Sequence, residues 1–238
     1  VLVWQAGSMA LSARYPNGRL LLPSPAEVLL RLAELAPTAA FWGTVGRSSL
    51  RILGGFALSC ALALGLAGAV CRFRRVRELL APLVAAVKAV PVMSFIILAL
   101  LWIAPAQLAL FISGLMVFPP VYLNLLAGLD AMDRSLAEMA RVFRVPFGRR
   151  VRNLYLPQVL PYFRSACSLA LGLCWKAGVA AEVIGLPRGT LGERLYDAKV
   201  YWETADLFAW TVVIVAVSVL FEHLFLKVVD TLAGKAGA

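Results

Sequence analysis

The sequence predicts an all-α membrane protein, and three observations carry that prediction. Of its 238 residues 61% are hydrophobic and only 15% charged, with a mean hydropathy of +0.83. One water-soluble core cannot hide that much apolar surface, so the bilayer is the solvent. Uncharged runs of membrane-spanning length follow one another along the chain, and the charge surplus of +10 is gathered into a few connections.

Taken in order, Val1-Leu2-Val3-Trp4 opens an apolar stretch that fades near Leu11. It is too short to cross and is expected to be the tail of a first span that begins before it. Pro23-Ser24-Pro25 is followed by Val28, Leu29, Leu32 and Leu35 at helical spacing, which predicts an amphipathic helix lying on the membrane. Between Arg51 and Arg72 lie 20 uncharged residues, enough at about 1.5 Å each to cross roughly 30 Å of hydrocarbon. The stripe Ala57, Ala61, Gly65 and Ala69 on that span predicts close packing against another helix. No charge occurs between Lys88 and Asp130, and the break at Ala104-Pro105-Ala106-Gln107 divides this run into two helices. Further spans are expected from Pro161 to about Val183 and from Leu207 to about Phe225, the latter bordered by interfacial Trp202 and Trp210. The total is about six, the first incomplete, in one transmembrane domain covering 1–238.

Arg72, Arg74, Arg75 and Arg77 sit in one connection, and Arg134, Arg141, Arg144, Arg149, Arg150, Arg152 and Arg164 sit around another. Both are expected in the cytoplasm, because arginine is retained on that side. This topogenic role accounts for the basic surplus without a nucleic-acid partner. The chain has no G-x-x-x-x-G-K-[ST], so it should hold no nucleotide by the usual phosphate-cradling loop. Cys60, Cys71, Cys167 and Cys174 show no metal spacing and read as small buried apolar residues. The single histidine, His223, lacks a second ligand and reads as interfacial. Isolated ionisable groups also argue against a membrane-embedded enzyme, which needs a cluster of reactive groups at one depth.

From Asp133 to Phe143, Leu136, Met139, Ala140 and Phe143 recur at helical spacing, with Arg134, Glu138 and Arg141 on other faces. Pro146-Phe147-Gly148 should break this short amphipathic helix, and Leu156-Pro157 should fix the chain as it returns to the membrane. On chemistry alone such a loop is either a rigid lever for a partner or an arginine-rich connection that sets topology.

The segment from 130 to 156 resembles the coupling loop of ABC importer permeases. That loop is written E-A-A, three residues, G, nine residues, I-x-L-P; here Glu138-Met139-Ala140, Arg144 and Leu154-Tyr155-Leu156-Pro157 stand at the same intervals. Leu22-Pro23-Ser24-Pro25, Ser49-Leu50-Arg51-Ile52-Leu53-Gly54-Gly55-Phe56, Asp133 to Ala140 and Ala180-Ala181-Glu182-Val183 resemble the nitrate, sulfonate and taurine permeases. The resemblance implies a methionine-importer-type permease in the bacterial inner membrane, one of two copies, with two ATPase subunits that carry ATP and Mg and a solute-binding protein outside. This chain itself would hold no cofactor or metal. Glu138, Met139, Ala140, Arg141, Arg144, Gly148, Leu156 and Pro157 would form the ATPase-coupling loop. Arg144 departs from the motif glycine, so either the turn is expected to shift to Pro146-Phe147-Gly148 or Arg144 is expected to make a contact of its own with the partner.

Charges within spans usually face protein or water, so Lys88, Lys176 and Glu182 are candidates for a translocation pathway. Lys88 lies about 10 Å and Lys176 roughly 20 Å from the cytoplasmic edge at 1.5 Å per residue, and Glu182 lies near the outer edge. Cationic walls suit a small anion such as a sulfonate, taurine or nitrate. A pyrimidine vitamin precursor and a secondary transporter are the alternatives.

Overall fold

The computed structural model describes residues 2–15 and 21–236, without the side chains of Arg72, Arg74, Arg134, Ala137, Arg141, Phe147 and 232–236. Val1, which opens the first apolar stretch, lies outside the described residues. Helix α1 (Leu2–Arg14) is followed by α2 (Pro25–Leu35), whose start is a full capping box. Ser24 Oγ accepts from the Glu27 N–H at 3.2 Å, Glu27 Oε2 accepts from the Ser24 N–H at 2.8 Å, and Pro25 needs no donor there.

Helix α3 (Ala39–Arg72) is capped by Thr38, whose hydroxyl accepts from the Phe41 N–H at 3.2 Å. It begins a dozen residues before the expected span, so Arg51 lies on the helix and not at its end. The expected small-residue stripe faces the wrong way for packing within this chain: Ala57, Ala61 and Gly65 are exposed. The buried face runs instead through Ile52, Gly55, Phe56, Ser59, Cys60, Ala63 and Ala67. Gly55 decides this phase, because a Cβ there would lie 2.3 Å from the Leu110 carbonyl oxygen and 3.0 Å from the Gly114 nitrogen.

The apolar run after Lys88 is not one span up to Ala104. It holds only α5 (Val92–Ala99), which pairs with α4 (Arg74–Ala89) across a bend of 101°. Pro91 causes the bend: it has no N–H to give to a continuing helix and drives Val90 into extended backbone. Helix α6 (Pro105–Asp130) then starts where the Ala104-Pro105 break was expected. Helix α7 (Arg134–Val142) and α8 (Phe147–Arg150) lead through a π-helical turn (Val151–Tyr155) into α9 (Leu156–Gly185). Helices α10 (Leu191–Val200) and α11 (Thr204–Ala236) complete the chain.

Among the described residues four continuous helices are long and apolar enough to cross a membrane: Ala39–Cys71, Pro105–Asp130, Gly148–Gly185 and Thr204–Thr231. The bent α4–α5 pair is a fifth crossing if it counts as one span. Helix α6 packs on α9 and α3 more extensively than any other pair packs. Their shared core holds Ile52, Phe56, Val117, Val121, Cys174 and Trp175. Gly178 admits this approach, since a Cβ would stand 2.6 Å from Ile52 Cγ1.

Several smaller expectations change. Trp210 is buried against Phe41, ring centroids 5.2 Å apart, and is not an interfacial aromatic; Trp202 is exposed. Helix α11 runs past Phe225, so His223 lies within it, with Nδ1 2.9 Å from the Val219 carbonyl oxygen. Cys60, Cys167 and Cys174 are buried as expected, whereas Cys71 is exposed.

The two ends of the bundle differ. At the arginine-rich end Arg77 holds Asp130 with two bonds of 2.9 and 2.8 Å, and Arg164 pairs with Asp230. At the opposite end Arg31 of α2 grips Asp206 of α11 with both carboxylate oxygens engaged.

Candidate functional site: the interhelical loop and the charges in the spans

The loop between α6 and α9 is held at three points. Asp133 is the N-cap of α7: its Oδ1 accepts from the Ser135 N–H at 2.8 Å and the Ser135 hydroxyl at 2.7 Å. These two donors hold the Asp133 carboxyl below the usual carboxylate range. The cap therefore supports α7 above about pH 4 and is lost as pH falls through the depressed value. Secondly, Gln158 Oε1 accepts from the Asp133 N–H at 3.0 Å. That bond fastens the start of the loop helix to the first turn of α9, beside Leu156 and Pro157.

The third point is the turn after α7. Arg144 has φ +50°, and the Val145 N–H reaches back to the Ala140 carbonyl oxygen at 3.0 Å. This is the six-residue closure of a Schellman turn with its left-handed residue at Arg144. The turn has therefore stayed at the motif position and has not moved to Pro146-Phe147-Gly148; Gly148 lies in α8. Left-handed backbone costs a non-glycine residue about 1 kcal/mol or more. Arg144→Gly is accordingly expected to stabilise this loop by about 1 kcal/mol, read as greater protease resistance or slower amide exchange over 134–145. Unchanged exchange would mean that the turn carries no strain.

Ala140 is buried beneath α7, while Glu138 and Met139 are exposed. Val142 and Phe143 are 78% and 75% exposed.

Glu182, expected near the outer edge as a pathway residue, is 0% exposed. Its Oε2 accepts from the Ser48 hydroxyl at 2.7 Å and the Gly192 N–H at 3.2 Å, and Ser48 Oγ accepts from the Leu191 N–H at 2.9 Å. The carboxylate thus ties α3, α9 and the start of α10 together inside the chain and faces no open passage in this conformation. Lys176 is exposed in the second half of α9, on a face shared with Tyr162, Ser165, Leu169 and Leu173. Lys88 is exposed in the last turn of α4 and lines a cleft against α6. The structure does not bring the three charges to one place.

With this geometry the chain can be set beside known proteins. Residues 61–233 match the family model described as binding-protein-dependent transport system inner membrane component. The chain belongs to this family. SsuC of Bacillus subtilis, named for aliphatic sulfonates transport, is 29% identical over 84% of this chain and 73% of its own length. SsuC of Escherichia coli, named likewise, is 30% identical over 98% of this chain and 84% of its own length. Among solved structures, one titled as an amino acid ABC transporter with histidines superposes with a TM-score of 0.60 at 15% identity. That match covers 87% of this chain and 96% of the other, and it shows the fold, a type I importer-like permease. This inner membrane component is thus a multi-pass transport subunit of the ABC permease class, and transport rather than catalysis is its family's role.

Sequence reasoning missed Ser48 and Arg51 as neighbours of Glu182, Gln158 as the anchor of the loop, and Tyr122 and Asp130 around Lys88 and Arg77. One signal was present. Arg77 and Asp130 both stand at the arginine-rich ends of apolar segments, where opposite charges on adjacent helices can meet.

Proposed function

We propose that the chain is the transmembrane subunit of an ATP-driven ABC importer for a small anionic solute of the sulfonate class. On this reading it is one transmembrane domain, its 130–156 loop faces the cytoplasm, and two ATPase subunits carry ATP and Mg. A second copy of the chain completes the passage, and an extracytoplasmic binding protein delivers the solute.

The observation that carries this reading is the loop helix α7, anchored by Asp133, Gln158 and the Arg144 turn while Glu138, Met139, Val142 and Phe143 stay exposed. A helix fixed rigidly to two crossings and open on its outer side can transmit the movement of a docked ATPase. The exposed face of α9 with Lys176 supports a passage walled by two copies, because a lysine within a span is costly against lipid and useful against an anion. The relatives named for sulfonate transport support that class of solute.

Reconstitution with the ATPase subunit and the binding protein tests the reading. ATP-dependent accumulation of an alkanesulfonate is expected, with none when the ATPase is left out. Accumulation driven by a sodium or proton gradient without the ATPase would overturn it in favour of a secondary transporter.

A further inference from the structure

Near the arginine-rich end, α4 and α6 leave between them a cleft of about 340 Å³. Much of its wall is aliphatic, including Val84, Leu123 and Leu126. Among the described residues two polar groups on this wall have no hydrogen-bond or ion-pair partner. Tyr122 is 1% exposed, its hydroxyl is buried without a hydrogen-bond partner, and its ring is stacked on Phe118 with centroids 5.5 Å apart. Lys88 forms no ion pair among the described residues. Arg77 also lines the cleft, but its guanidinium is already neutralised by Asp130. A buried phenol without a partner is unfavourable, and a lysine within a span is a functional group by default. One uncompensated positive charge, one unused hydroxyl and an aliphatic wall together suit a molecule with an anionic head and a hydrocarbon body.

We propose that this cleft binds an alkyl oxyanion, its head group taken by the Lys88 ammonium and the Tyr122 hydroxyl and its chain lying along Val84, Leu123 and Leu126. The inference deepens the transport reading and rests on it only for the origin of the ligand. A transported alkanesulfonate and an anionic bilayer lipid share this chemistry.

The test uses the full chain in phosphatidylcholine nanodiscs, with hexanesulfonate as the calorimetric probe. Wild type should bind it; Lys88→Gln and Tyr122→Phe should each weaken binding roughly tenfold or more, the effect of losing a hydrogen bond to a charged group. Lys88→Arg should retain it. Tyr122→Phe keeps the stacked ring, and thermal melts confirm folding in each case. In discs with added phosphatidylglycerol, native mass spectrometry reports retained lipid. Loss of that lipid in the same variants assigns the site to lipid, and loss of hexanesulfonate binding alone assigns it to the transported anion. Variants that bind both probes like wild type, or a wild type that binds neither, would overturn the proposal. Uptake by the assembled transporter is scored separately. Normal uptake with unaltered probe binding removes this site alone, and absent wild-type uptake with probe binding intact removes the transport reading alone.

Discussion

Glu182→Ala is expected to lower stability by about 3 kcal/mol or more, the scale for removing one member of a buried charged network. The loss has two parts. The Ser48 hydroxyl and the Gly192 N–H lose their acceptor, and nearby Arg51, whose buried Nη1 has no partner among the described residues, loses a favourable charge. For a chain of this size the change corresponds to a fall of roughly 6–12 °C in melting temperature, read by fluorescence-detected size exclusion in detergent. Glu182→Gln keeps an acceptor and the shape and should lose much less. Equal melting temperatures for wild type and both variants would show that the network contributes nothing.

Glu138→Lys should leave the membrane fold intact while ATPase retention and ATP-driven uptake both fall more than tenfold. Glu138 is exposed on the outer side of α7, so its reversal disturbs no buried contact within the chain. Like charges brought together, or charges left unpaired, at an interface cost several kcal/mol, which is ample for that loss. The variant should melt like wild type, and the separation of folding from coupling is the informative result. Normal subunit retention with normal uptake would make Glu138 an ordinary solvated residue and remove the main support for α7 as the coupling element.

Features that depend on a few neighbouring residues were legible in the chain. The span of α6 follows from its uncharged run and the Ala104-Pro105 break, the capping box of α2 from Ser24-Pro25-Ala26-Glu27, and the short amphipathic α7 from Leu136, Met139 and Ala140. Pro91 was equally visible, but hydropathy averaged across it and hid a bend that proline geometry alone would have flagged. Arg144 shows the reverse case. Its residue type argues against left-handed backbone, yet the anchoring of α7 at both ends holds the turn there.

Which face of a helix is buried was not legible from the helix itself. Helix α3 carries two rows of small residues, and the row through Gly55 is chosen because the Leu110 carbonyl and Gly114 of α6 come against it. Glu182 looks like a pathway charge until Ser48, 134 residues earlier, is placed within 2.7 Å of it. Hydropathy, caps and proline geometry act over a few residues, so the chain alone determines that this is a helical membrane protein with a rigid loop at a fixed spacing. Burial and the pairing of charges depend on surfaces contributed by distant segments, so the tertiary structure alone decides that Glu182 is buried against Ser48 and Gly192 and that Lys88 and Tyr122 line one cleft.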